Sequence, residues 1–384
     1  MIYLDNSATT QCAKEALEIM QEALVESYGN PSSLHDFGMV GENYIKEARA
    51  VIADSLRCQP KEIIFTSGGT EGNNMAIRGT VGALQKSVGK HLITTAIEHA
   101  SVSALYERLK KEGFEITFLP VNNEGIVVEQ ALKDALREDT CLVSVMLVNN
   151  EIGTVEPIER LAKIVHENSR AYFHVDAVQG YGKVPIIPKS AGVDLLSVSG
   201  HKLHGPKGSG FLYVKNGIRI VPLIYGGGQE GGMRSGTENV PAIAGLGEAV
   251  RILFEDFDAI NDGIRELRKH FEEGIAGIEG VSVNGPKDEA DKAPHIVSVS
   301  VQGVRAEVLL HALESEGLYV SAGSACSSNK PAVSRTLSAI GLDKSLLDST
   351  VRFSFCRNNT LEECDEAIAI LKNVVPKLRG FVRR

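Results

Sequence analysis

From about residue 62 to residue 225, short apolar runs alternate with segments of helical spacing, and this alternation restricts the chain more than any other feature of its sequence. Strands are predicted at Glu62–Thr66, at His91–Thr95, near Ile116, at Cys141–Val148 and at Leu195–Val198, with Phe173–Gln179 a further apolar run. Between them lie helical patterns after Gly72, over Ser101–Lys111 and over Ile158–Asn168. A parallel neighbour can be reached only by a long crossover, so strands that alternate with helices pair in parallel and the helices cover both faces. The expected fold is α/β, with a large domain on a mostly parallel sheet covered by helices. Ligands on such sheets gather beyond the carboxyl ends of the strands.

Other patterns flank this region. Ala13–Ser27 has helical spacing at Ala16, Leu17, Met20, Ala23 and Leu24 and is broken at Gly29-Asn30-Pro31; a second helix is expected over Gly41–Leu56. Gly226–Asn239 is dense in glycine and reads as an irregular loop. A long helical stretch from about Val240 to Gly277 gives way to a strand at Ile296–Val301, a helix at Ala306–Glu316, then strand and helix again, with a last helix over about Leu361–Leu378. This change of pattern places a smaller α+β domain at the carboxyl end.

Composition narrows the function classes. With 384 residues, 43% hydrophobic and 23% charged, the chain is long enough for two domains with substantial cores. A formal charge of −9 without a basic run argues against nucleic acid or an anionic membrane as a direct partner. No apolar run approaches the roughly 18 residues that span a bilayer. The amino terminus, MIYLDNSATT, has no charged and apolar leader, and the six cysteines form no Cys-x-x-Cys pair, so a reducing cytoplasm is expected. His201 and His204 sit three apart without paired cysteines nearby, and no metal site is expected.

Three strand ends carry chemistry. In DLLSVSGHKLHGPKGSG, Asp194 to Gly210, the apolar run stops at a small-residue turn and leaves Lys202 at the strand end, where an amine shielded from water is suited to Schiff-base chemistry with an aldehyde. Upstream, FHVDAVQ ends in Asp176, with Gln179 three positions on. A carboxylate there suits a heterocyclic nitrogen that must stay protonated, as pyridoxal phosphate requires; its local alternative is a helix N-cap. IIFTSGGTEGNN, from Ile63, runs into Gly68, Gly69 and Thr70, a turn able to cradle phosphate at a helix start, although no P-loop Gly-Lys-Ser/Thr closes it.

Taken together, SGHK at Lys202, HVDAVQ at Asp176, SGGTEGNN, EHASV at Glu98 and VNNEIG at Val148 resemble the cysteine desulfurases of the NifS and IscS type, within the class V aminotransferases of fold-type I. Further similarity lies in YLDNSATT at Tyr3, GNPSSLH at Gly29, GGGQEGGMRSGTEN at Gly226 and SAGSACSS at Ser321, so that the resemblance runs from Tyr3 to about Arg352. It implies a large domain over 13–255 and a small domain formed by 1–12 and 256–384. It also implies pyridoxal 5'-phosphate on Lys202, held by Gly69, Thr70, Asn150, Asp176, Gln179, Ser199 and His201, with His99 against the ring and moving protons. Thr237 would reach the phosphate of the other subunit of a homodimer. Cys326 would be the nucleophile that takes sulfur from L-cysteine as a persulfide, and the other cysteines are read as structural. Arg352 would grip the substrate carboxylate, with Asn30 and His35 lining the pocket. The sequence departs from the family after Arg352, where Cys356, Arg357, Asn358 and Asn359 stand in place of Gly-Arg, an aromatic and Thr. The implied activity is cysteine desulfuration, with sulfur passed to an acceptor protein such as an iron–sulfur scaffold or a tRNA-thiolating enzyme. Selenocysteine lyase or another pyridoxal phosphate lyase or aminotransferase is the alternative within this chemistry, and a non-catalytic sulfur-relay subunit the alternative outside it.

Overall fold

The computed structural model describes residues 1–322 and 333–382. Strand β1 (Ile2–Tyr3) leads into helices α1 (Lys14–Val25) and α2 (Asp36–Ser55). Next come β2 (Ile63–Thr66), α3 (Gly69–Leu84), β3 (His91–Thr95), α4 (Ala100–Lys111), β4 (Glu115–Leu119), α5 (Glu129–Ala135), β5 (Thr140–Met146), α6 (Ile158–Asn168), β6 (Tyr172–Asp176), β7 (Leu195–Ser199) and β8 (Gly210–Val214). The remainder is α7 (Val240–Glu255), α8 (Phe257–Ile275), β9 (Val281–Asn284), β10 (Ile296–Val301), α9 (Ala306–Ser315), β11 (Leu318–Tyr319), β12 (Ser321–Ala322), α10 (Arg335–Ala339), β13 (Thr350–Ser354) and α11 (Leu361–Val382).

The central sheet has the order β2-β8-β7-β6-β5-β3-β4. Strands β3 to β7 pair in parallel, whereas β8 is antiparallel to both β7 and β2. The mostly parallel sheet expected from the alternation is present, and its exception has a local cause. Only residues 200–209 separate β7 from β8, too few for a crossover, so the chain must return antiparallel. Strands β3, β5 and β7 are buried along their whole length, as both-face coverage requires. Successive side chains serve opposite faces: Ile93, Val143 and Val198 join one core with Ile52, Val165 and Leu246, while Leu92 and Leu142 join Ile77, Val102 and Tyr106 on the other.

A second core belongs to an antiparallel sheet of order β12-β13-β10-β9. Phe271, Val299, Leu309, Phe353 and Leu371 pack there with Ile2 and Leu4 from the amino terminus, and β1 pairs in parallel with β11. The two ends of the chain therefore share one hydrophobic unit.

Some elements differ from the sequence expectation. Helix α2 begins at Asp36 rather than Gly41, because His35 caps it by accepting the Gly38 N–H on Nδ1 at 3.2 Å. Helix α3 begins at Gly69 rather than after Gly72. The stretch Val240–Gly277 is two helices, interrupted where Asp256 takes φ −131° and ψ 46°. Among the described residues no helix is long and apolar enough to cross a membrane.

Glu156 is fully buried behind β5; its Oε2 accepts the Val127 N–H at 3.0 Å, and Oε1 has no hydrogen-bond partner among the described residues. Burial, with a smaller contribution from Asp291, pushes its carboxyl up to about 8. The folded protein thus holds a proton that the unfolded chain releases in the ordinary carboxylate range, and stability falls as pH rises through that range toward 8. Thermal unfolding of the wild type between about pH 5 and 8 is expected to show this loss, at up to about 1.4 kcal/mol per pH unit. Glu156→Gln flattens the slope; identical slopes in the two proteins would mean that Glu156 is already ionised in the fold.

Candidate active site

Strand β7 ends at Ser199 and a single tight turn, Gly200–Lys202, brings the lysine back over the sheet edge. Lys202 Nζ donates to the carbonyl oxygens of Ser7 at 2.5 Å and Ala8 at 2.6 Å. Those acceptors lie on an amino-terminal strap fastened from several sides. The Ser7 N–H donates to Ser354 Oγ at 2.8 Å, the Thr10 N–H to the His201 carbonyl at 2.9 Å, and Gln179 Nε2 to the Ser7 carbonyl at 2.9 Å.

Asp176, the last residue of β6, is buried and accepts on both carboxylate oxygens. Asn73 Nδ2 reaches Oδ2 at 2.7 Å and the Val178 N–H reaches Oδ1 at 3.0 Å. The second bond closes a turn rather than capping a helix, because no helix lies between β6 and β7; the helix N-cap considered from sequence is absent. Burial raises the Asp176 carboxyl above its ordinary range; Val178, His99, Asn73 and Lys202 oppose the rise. His99 stands at the start of α4, where its Nδ1 accepts the Ser101 N–H at 3.1 Å. Beside it Glu98 is fully buried, with Oε1 accepting from Thr95 Oγ1 at 2.8 Å and the Met146 N–H at 2.9 Å. Burial first, and Asp176 second, push this carboxyl well above its ordinary range.

Next to Lys202 opens a cavity of about 440 Å³ lined by Thr9, Ser67, Gly69, Thr70, Ser199, His201 and Lys207, among others. The first turn of α3 starts in it, so orphan backbone N–H groups and the positive end of the helix dipole favour an anion there. Gly68 precedes the helix at φ 142°, a conformation that side chains rarely adopt. A Cβ on Gly69 would stand 2.5 Å from Val178 Cγ2. His201 is pushed down to about 4 by burial and then by Lys202 and Lys207, which leaves it neutral near pH 7. The positive charge at the cavity comes from lysine and helix rather than from imidazole.

Arg352 lies buried on β13, where Nη1 donates to the Asn150 carbonyl at 2.7 Å and Nη2 to Asp5 Oδ1 at 2.9 Å. The described residues thus bring Lys202, Asp176, Gln179, His99, Asn150, Ser199, His201, Gly69, Thr70 and Arg352 to one end of the sheet. Other expected residues stand elsewhere. Asn30 and His35 are exposed near the start of α2, where they accept the local Ser32 and Gly38 N–H groups; Thr237 is exposed in the glycine-rich loop. Cys326 lies outside the described residues. Of the other cysteines, Cys58, Cys141 and Cys364 are pushed up to about 12 chiefly by burial, and Cys12 and Cys356 are raised by the same cause, so these are protonated thiols near neutral pH.

Sequence reasoning passed over Asp5, Ser7, Asn73, Glu98 and Lys207. Lys207 was within reach, since it shares the glycine-rich stretch with Lys202. Asn73 sits one helical turn after Gly69, a spacing that places it on the same face as the anion cradle.

The Aminotransferase class-V family model matches residues 2–366. The chain is 46% identical over 379 residues to a protein of Dictyoglomus turgidum named cysteine desulfurase IscS, with 98% of this chain and 95% of that protein covered. A solved structure titled NIFS-like protein superposes with a TM-score of 0.92 at 36% identity, covering 98% of this chain and 100% of the other. A second, titled SspA in complex with cysteine, gives 0.81 at 35% identity over 94% of this chain and 100% of that one.

Gly69→Ala tests how closely the cradle is built. Its Cβ must displace Val178 or the first turn of α3, an overpacking that costs about 1–3 kcal/mol. Denaturant unfolding is expected to show that loss, together with weaker binding of inorganic phosphate; unchanged stability would show that the turn has room to spare.

Proposed function

The chain belongs to the Aminotransferase class-V family, matched over residues 2–366, and we infer that it is a pyridoxal phosphate-dependent cysteine desulfurase that converts L-cysteine to L-alanine. The observation that carries this reading is the convergence of Lys202, Asp176 and the anion cavity at the carboxyl ends of β2, β6 and β7. An aromatic aldehyde bearing a phosphate fits these residues. Lys202 offers the amine for its aldehyde, Asp176 the carboxylate for its ring nitrogen, and Gln179 the amide for its phenolic oxygen. Gly69, Thr70, Ser199, His201 and Lys207 surround the place for its phosphate, and His99 and Asn150 stand beside the ring position. Bound there, the cofactor supplies an electron sink for charge developing on the substrate carbon next to its amine.

The protein's own groups do the rest. Lys202 Nζ takes the proton from substrate Cα and returns one to the product. Asp176, kept anionic by N–H donors on both oxygens, holds the ring-nitrogen proton in place. Arg352 is already oriented by Asp5 and the Asn150 carbonyl, and its remaining N–H groups are available for the substrate carboxylate. The Cys326 thiolate attacks the substrate sulfur; an S–S bond forms, the C–S bond breaks, and its electron pair returns to the carbon side, which is protonated and leaves as alanine. A thiolate of an acceptor protein, such as an iron–sulfur scaffold or a tRNA-thiolating enzyme in the cytoplasm, then takes the outer sulfur of this persulfide and releases the Cys326 thiolate.

A homodimer completes the reading. Leu24, Tyr28, Leu34 and Phe37 are exposed around the end of α1 and the start of α2, an apolar surface suited to a second copy. That copy would cover Asn30 and His35 and receive Thr237. Sedimentation is expected to give twice the 41.3 kDa of the chain, and Tyr28→Asp with Leu34→Asp to give one; a wild-type monomer would remove Thr237 from the site.

Turnover decides the chemistry. Purified protein with pyridoxal phosphate, L-cysteine and a thiol reductant is expected to yield sulfide and alanine in equal amounts, and Cys326→Ala to yield neither. Survival of both products in the variant would sink Cys326 as the nucleophile.

A further inference from the structure

Two residues outside the lining of the anion cavity join His99 to Asp176. Asn73 is fully buried on α3, and its single amide nitrogen donates twice, to Asp176 Oδ2 at 2.7 Å and to Ser101 Oγ at 2.8 Å. Ser101 Oγ lies 2.9 Å from His99 Nδ1, and the Ser101 N–H points at the same nitrogen from 3.1 Å.

Chemistry gives each bond in this chain a favoured direction. A backbone N–H only donates, so the Ser101 N–H, the longer of the two contacts at 3.1 Å, favours a lone pair on His99 Nδ1, and the hydroxyl is the nearer group. The Ser101 hydroxyl, already receiving an Asn73 N–H, then turns its own proton toward Nδ1. The ring proton of neutral His99 is left on Nε2. At the other end, ionised Asp176 accepts and cannot donate, so the Asn73 amide must turn its nitrogen toward it. That orientation strands Asn73 Oδ1, which is buried with no hydrogen-bond partner among the described residues. Flipping the amide would set an oxygen against the carboxylate, a worse arrangement than one orphan acceptor.

We propose that Asn73 and Ser101 are positioning residues: they hold His99 as the Nε2–H tautomer and key that tautomer to the ionised state of Asp176. The proposal rests on the reading of Asp176 and His99 as the groups flanking the cofactor ring, and it gives that site a second coordinate. The group opposite the ring nitrogen and the group beside the ring are not set independently. Protonation of Asp176 would free the amide to turn, release the Ser101 hydroxyl, and loosen the choice of ring nitrogen on His99.

The test reads the tautomer in protein without cofactor, so that its outcome stands apart from the desulfurase reading. Nitrogen-15 histidine NMR, with the His99 signals assigned by their loss in His99→Asn, is expected to show the proton on Nε2 alone in the wild type. Ser101→Ala, which keeps only the longer N–H contact on Nδ1, is expected to show a mixture of tautomers, and Ser101→Thr, which keeps the hydroxyl, to restore the single form. Asn73→Leu removes both donors at once; because Asn73 is fully buried and that change risks the fold, Ser101→Ala breaks the same chain from its half-buried end. In the loaded enzyme Ser101→Ala lowers kcat about tenfold, as loss of one well-placed hydrogen bond would, with KM unchanged and recovery in Ser101→Thr. A wild-type proton on Nδ1, or a Ser101→Ala protein with the wild-type tautomer, overturns the proposal. Absence of turnover on cysteine with the Nε2–H form intact would overturn the desulfurase reading and leave this one standing.

Discussion

The active end of the molecule depends on two backbone carbonyls, those of Ser7 and Ala8, closing on the Lys202 amine. A lysine at the end of a strand has four rotatable bonds and otherwise roams through solvent. Two acceptors at short range remove that freedom and aim the nitrogen at the region between Asp176 and the start of α3. Such acceptors are useful only if they are themselves rigid. The strap that carries them is tied to the large sheet through His201, His204 and Gln179, and to the small sheet through Ser354. Both hydrophobic cores therefore take part in placing one amine.

Around that amine the buried ionisable groups are sorted by their hydrogen-bond supply. Asp176 receives N–H donors on both oxygens, whereas Glu98 and Glu156 each leave one oxygen without a partner among the described residues. The first arrangement favours a carboxylate and the second a carboxylic acid, although all three lie at similar depth. His201 is kept neutral by other means, burial first and then the neighbouring Lys202 and Lys207. Burial raises all three carboxyls, and what sets them apart is whether the donors are spread over both oxygens, as in Asp176, or gathered on one.

Much of this was legible in the sequence. The strands His91–Thr95 and Ile296–Val301 and the helix Ile158–Asn168 coincide with their patterns, because in each the apolar period and the flanking breakers agree. Lys202, Asp176 and the glycines before α3 stood out because strand ends are marked by abrupt changes of residue type. The break at Asp256 was not legible: ILFEDFDAIND contains neither glycine nor proline, and only the backbone angles of Asp256 mark it. Strand β8 was hidden by its place directly behind a glycine- and lysine-rich turn. Asn73 could be placed by its spacing from Gly69 but not given a partner, since an asparagine within a helix carries no local sign of a carboxylate 103 positions away. The positions Asn30, His35 and Thr237 have their meaning, if the homodimer is formed, only on a surface that one chain leaves open.

The amino-terminal strap also sets an order in time. It is made well ahead of the segments that hold it: Ile2 and Tyr3 pair with Leu318 and Tyr319, and Ser7 is fastened to Ser354, 347 positions later. At a synthesis rate of about 5–20 residues per second, the strap waits roughly 20 to 70 s for its partners. Strands β2 to β8 are complete long before then and can assemble from contacts within their own span. The nascent protein therefore passes through a stage in which the sheet is built but its lysine is not yet aimed. A ribosome-bound chain stopped short of residue 318 would carry the cradle without the hand that points the amine into it.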